Sequence, residues 1–92
     1  MSSLRDRIQE QHDYKPLLFA DGFDEAILGV GWSFDKPLSV AYDKHKCIKI
    51  LMKRDKMNQT DAEEYFSFNV EGAYVEGAYV GEATPVFVER IK

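Results

Sequence analysis

The sequence predicts a small α+β domain: a mainly antiparallel sheet of three or four strands with a two-helix hairpin packed on one face. Three observations carry that expectation. Short runs rich in apolar, β-branched and aromatic residues recur between turn residues, at 17–20, 26–30, 38–42 and 84–88. Between the third and fourth runs lies the clearest amphipathic stretch, residues 43 to 56, with a second helical segment directly after it. Finally, 92 residues that are 45% apolar, with six Phe, five Tyr and Trp32, can bury one modest core and little more.

The elements follow in order. Residues 1–15 are expected to be an N-terminal extension carrying a short helix over 2–12, in which Ser3 caps, Asp6 sits three positions on, and Leu4 and Ile8 share a face. Residues 16–92 then form a single domain. Pro16 ends the helix, and Leu17 to Ala20 reads as a strand closed by Asp21-Gly22, a turn pair whose glycine admits positive φ. A second strand is expected from Ala26 to Val30, extending toward Phe34, with Gly29 and Gly31 marking a bulge or a close backbone approach. Asp35-Lys36-Pro37 makes the next turn, and Leu38 to Tyr42 the third strand.

Asp43 is placed to cap a helix running through about Arg54. At 100° per residue, Cys47, Ile48, Leu51 and Met52 fall on one side, and Lys46, Lys49, Lys53 and Lys56 on the other. Thr60-Asp61-Ala62-Glu63 reads as a capping box, which starts the second helix at Asp61 and runs it to about Asn69, burying Ala62, Tyr65, Phe66 and Val70. The short link from Asp55 to Gln59 makes the two helices a hairpin. Cys47, Ile48, Leu51, Tyr65 and Phe66 are expected at the sheet contact. Thr84 to Val88 closes the chain as a strand with Pro85 at its first position or on an edge. One repeat, Val70 to Tyr74 copied at Val75 to Tyr79, is too short for a solenoid unit and is expected to be absorbed in a loop or hairpin. Stacked into a contact surface, its Tyr74 and Tyr79 are the candidate protein-binding residues.

Charge is distributed unevenly. Residues 44 to 56 hold six basic side chains against Asp55, a local +5, so a chain of net charge −4 carries −9 elsewhere. Residues 57 to 89 contain seven acidic side chains and neither Lys nor Arg. A row of Lys46, Lys49, Lys53 and Lys56 could track phosphates, but the acidic helix beside it can neutralise it, and a solvated or internally paired face is the favoured reading.

Other chemistries find little support. One cysteine rules out an internal disulfide, and Cys47 with His12 and His45 falls short of a structural zinc site. Asp21, Asp24 and Glu25 lie within five residues but lack the ligand spacing of a calcium loop, so hairpin turn chemistry explains them better. Gly29-Val30-Gly31 has no third glycine and no helix after it, as a dinucleotide fingerprint requires. His45 and Cys47, two apart on a helix, point in different directions. No catalytic signature is present, so no catalytic, cofactor or metal residue is assigned and an enzyme is not expected. The charged start of the chain leads into no apolar run, so neither a leader nor a membrane span is expected, and a cytoplasmic address follows.

From residue 17 onward the chain resembles a group of small proteins encoded by tailed bacteriophages. The likeness rests on Ala20-Asp-Gly-Phe-Asp-Glu-Ala-Ile-Leu-Gly-Val30, on Tyr42 ahead of Lys46-Cys-Ile-Lys-Ile-Leu-Met52, on Ala62-Glu-Glu-Tyr-Phe-Ser-Phe-Asn-Val70, and on Gly77-Ala-Tyr-Val-Gly-Glu-Ala-Thr-Pro85. These segments are specific together and weak singly. The resemblance implies a phage-type source and the cytoplasm of an infected bacterium. The group has no assigned activity, so no functional residue is carried over. The extra Val-Glu-Gly-Ala-Tyr and residues 1 to 15 depart from the group's pattern, both at expected loop or terminal positions.

Two functions therefore stand as expectations. The first is a non-enzymatic accessory protein that binds a protein partner or a second copy of itself, through Tyr74 and Tyr79. The second is nucleic-acid binding through Lys46, Lys49, Lys53 and Lys56. A small metal-dependent enzyme gathering Asp21, Asp24 or Glu25 with His45 is a more distant third.

Overall fold

The computed structural model describes residues 4–12, 17–34, 38–72 and 84–91. In chain order it contains helix α1 (Leu4–Gln11), a 3-10 turn (Asp24–Ala26), strands β1 (Ile27–Gly31) and β2 (Ser39–Asp43), helices α2 (Lys44–Arg54) and α3 (Gln59–Tyr65), a π-helical turn (Phe66–Glu71) and strand β3 (Val86–Val88). The three strands form one sheet in the order β1-β2-β3. The α+β class holds, and the sheet is mixed: β1 and β2 are antiparallel, β2 and β3 parallel. Parallel neighbours need a long crossover, and the helical pair between β2 and β3 lies within it.

Leu17 to Ala20 is not a strand. The buried Ala20 N–H donates instead to the Tyr42 hydroxyl at 2.7 Å, so a side chain satisfies the backbone group that a neighbouring strand would have satisfied. The chain then turns at Asp21-Gly22, where Gly22 has φ +92°. Ala26 closes the 3-10 turn, so β1 begins one residue later than expected and stops at Gly31. Its pairing slips between Ile27, opposite Tyr42, and Gly29, opposite Ala41. That slip is the expected bulge, and Gly29 supports it with φ +153°. The expected turn at 35–37 and the second copy of the pentapeptide lie outside the described residues.

Asp43 caps α2 as the sequence predicts, its carboxylate accepting from the Lys46 N–H at 3.2 Å. The second cap differs. Asn58, not Thr60, receives the Asp61 N–H at 2.8 Å, and α3 starts at Gln59. Both Asn and Thr suit an N-cap, and the earlier one lengthens the helix by two residues. After Tyr65 the helix widens into the π turn, closed by Gly72 N–H to the Ser67 carbonyl. Ala62, Phe66 and Val70 are buried, but Tyr65, expected buried with them, is 40% exposed.

The core joins both layers. Val40 and Tyr42 share one face of β2 and are fully buried with Cys47 and Leu51 of α2 and Phe66 of the π turn. Phe66 packs edge-on against Phe87, 4.9 Å between ring centres, and against Phe23 at 6.3 Å, while Phe87 also meets Tyr42 at 5.6 Å. These four rings connect β2, β3, the π turn and the segment before β1. Helix α1 packs against β1, burying Ile8, with Arg5 lying 4.5 Å from the centre of the Phe19 ring.

Candidate functional site

Helix α2 sorts its cations into two groups. Lys44 pairs with Glu71 at 3.4 Å and lies over the Phe66 ring, while Arg54 donates to the Gly22 carbonyl at 3.1 Å, contacts Asp55 and lies over Phe23. These two fasten the helix ends to the fold. Lys46, Lys49 and Lys53 do not: all three are exposed, and none forms an ion pair among the described residues. Of the two expected alternatives, a solvated face and neutralisation by the acidic second helix, the described residues show the first: no acidic side chain of α3 pairs with the three lysines. At 100° per residue the three lysines occupy an arc of roughly 60° and about 10 Å of helix axis.

This row works against its own helix. Lys46 and Lys49 are three apart and Lys49 and Lys53 four apart, spacings at which like charges destabilise a helix by about 0.2–0.5 kcal/mol per pair. Lys46 also lies in the first turn, at the positive end of the helix dipole, where α2 has no acidic residue. Lys56, the fourth candidate, is exposed too, but it lies beyond the helix end at φ +54°. The chain has turned there, and Lys56 does not line the cavities beside α2.

The lysine row forms one wall of a groove. A concavity of about 570 Å³ lies between α2 and the Gly22 to Glu25 segment, with Ile50, Lys53 and Arg54 on one side and Asp24 and Glu25 on the other. A second, of about 220 Å³, continues along Lys46, Lys49, Ile50 and Lys53 and again touches Glu25. The half-buried Ile50 makes the junction apolar.

The remaining candidates are dispersed. Asp21 and Asp24 both hold Arg5, at 3.3 and 3.2 Å. Partial burial works against the Arg5 charge, but the carboxylates of Asp24 and Asp21 outweigh it and raise its pKa. His45 is exposed and Cys47 buried on another side of the helix. Among the described residues no three His, Cys, Asp or Glu side chains gather as a metal-binding group. Tyr74 and Tyr79 lie outside the described residues. Helical spacing alone brings out the lysine row, but not the groove. The groove depends on Arg54 reaching a carbonyl 32 residues away, and no local pattern signals that contact.

No protein-family model matches the chain, and neither does any curated protein or solved structure. No helix among the described residues is long and apolar enough to cross a membrane.

Proposed function

We propose that the protein binds nucleic acid through Lys46, Lys49 and Lys53, whose ammonium groups contact backbone phosphates. The observation that supports this most directly is the row itself: three exposed lysines, unpaired among the described residues, at spacings that cost the helix stability. An external anion removes that cost. Lys56 can add a peripheral contact. In keeping with the phage-type resemblance, the proposed setting of this binding is the cytoplasm of an infected bacterium. With so few phosphates engaged, affinity is modest and depends on counterion release.

The test is fluorescence anisotropy with labelled DNA and RNA at several salt concentrations. Binding should weaken with salt at a log–log slope of roughly −2 to −3 for three contacts. Replacing Lys46, Lys49 and Lys53 together by Gln should abolish it. Salt-independent binding, or none at low salt, would refute the proposal.

Trp32 and Phe34, 72% and 92% exposed beyond β1, favour a second reading, a protein partner or self-association. Light scattering on the intact chain checks it. A dimer that Trp32→Ser with Phe34→Ser returns to monomer supports that reading; a wild-type monomer removes self-association.

A further inference from the structure

The two walls of the groove carry opposite charge and meet where Arg54 donates to the Gly22 carbonyl, but among the described residues no ion pair joins Asp24 or Glu25 to the lysines across it. Glu25 is exposed and forms no hydrogen bond or ion pair among the described residues, although it lines both cavities with Lys53. Any occupant therefore meets cations and the apolar Ile50 on one side and an acceptor on the other.

We infer that this groove takes a base of single-stranded nucleic acid, its phosphates following Lys46, Lys49 and Lys53 while the exocyclic amino group of the base donates to Glu25. The inference rests on the phosphate-binding reading above and adds both a strand preference and a base preference. Carboxylates accept from the amino group of cytosine, whereas thymine offers none and presents a carbonyl oxygen that Glu25 repels. The strand preference follows from charge. A duplex brings a second phosphate line toward the wall of Asp24 and Glu25, on a protein that carries −9 outside residues 44 to 56. A single strand presents one backbone, and its unpaired bases are free to enter.

Anisotropy titrations with labelled dodecamers of oligo(dC) and oligo(dT), and with a mixed-sequence duplex of equal length, test this at low salt. Oligo(dC) should bind roughly five- to tenfold tighter than oligo(dT), and the duplex more weakly than oligo(dC). Glu25→Ala, at an exposed position, should erase the preference while strengthening oligo(dT) binding. If Glu25 acts only as a repelling charge, the variant strengthens both alike and their ratio is unchanged, which overturns the inference. Equal wild-type affinities for the two homopolymers, or a duplex bound as tightly as oligo(dC), also overturn it. If that binding still disappears when the three lysines are replaced, the phosphate-binding reading survives alone. Absence of binding to every probe removes both.

Discussion

Tyr42 supports more of the fold than its place in a short strand suggests. It is fully buried, and its hydroxyl accepts the Ala20 N–H that would otherwise be an orphan in the core. Tyr42→Phe keeps the ring but leaves that donor unsatisfied, so urea unfolding should show a loss of about 1–3 kcal/mol. Cys47 illustrates burial acting on a titratable group. Burial, then the neighbouring Asp43 carboxylate, pushes its thiol up to about 12 from an ordinary 9.0. Above pH 9 the unfolded chain releases this proton while the folded one keeps it, so the unfolded state gains and stability falls as pH rises toward 12. Cys47→Ala should flatten that alkaline decline, measured as melting temperature against pH, relative to wild type. The native thiol should also react with a thiol reagent only as fast as the chain opens.

Helix α2 separates what holds the fold from what is available to a ligand. Asp43 is 5% exposed, caps the helix and pairs with Arg90 at 3.4 Å, so the segment after β3 is clasped to the start of α2. Lys46 occupies the third helical position after that cap, where a glutamate would complete a capping box and favour the dipole. Lys46→Glu should therefore raise stability by about 0.5–1 kcal/mol while weakening nucleic-acid binding several-fold. Paired denaturation and anisotropy measurements check both directions, and binding lost through misfolding would show the opposite stability change. Much of α2 is legible in sequence because its determinants are local: a cap, a 3.6-residue period and a turn to finish. Leu17 to Ala20 misleads because its hydrogen-bond partner lies 22 residues away. Asn58 displaces Thr60 as a cap because two good cap residues compete within one turn. Glu25 reads in sequence only as one of three turn carboxylates, because its place opposite the lysine row is set where the 3-10 turn comes to face α2.

Within a core that is mostly aliphatic, four aromatic rings form one connected row between the sheet and the helices. Phe66 is fully buried and touches both Phe23 and Phe87, and Phe87 continues the contact to Tyr42. The sequence supplies the rings but not their order, because β3 could have entered the sheet on either edge and in either direction. Parallel pairing beside β2 sets Phe87 against Tyr42 and within reach of Phe66. Phe66→Leu keeps an apolar side chain but removes two edge-to-face contacts, each worth about 0.5–1.5 kcal/mol beyond area burial. The expected loss is roughly 1–3 kcal/mol, a large share of the about 5–14 kcal/mol stability normal for a chain of this length. Because Phe66 mediates between Phe23 and Phe87, the cost of Phe87→Leu should be smaller in the Phe66→Leu background than in wild type. A double-mutant cycle by thermal denaturation measures that coupling. Strict additivity would mean that the sheet and the helices are held by independent contacts rather than by one connected row of rings.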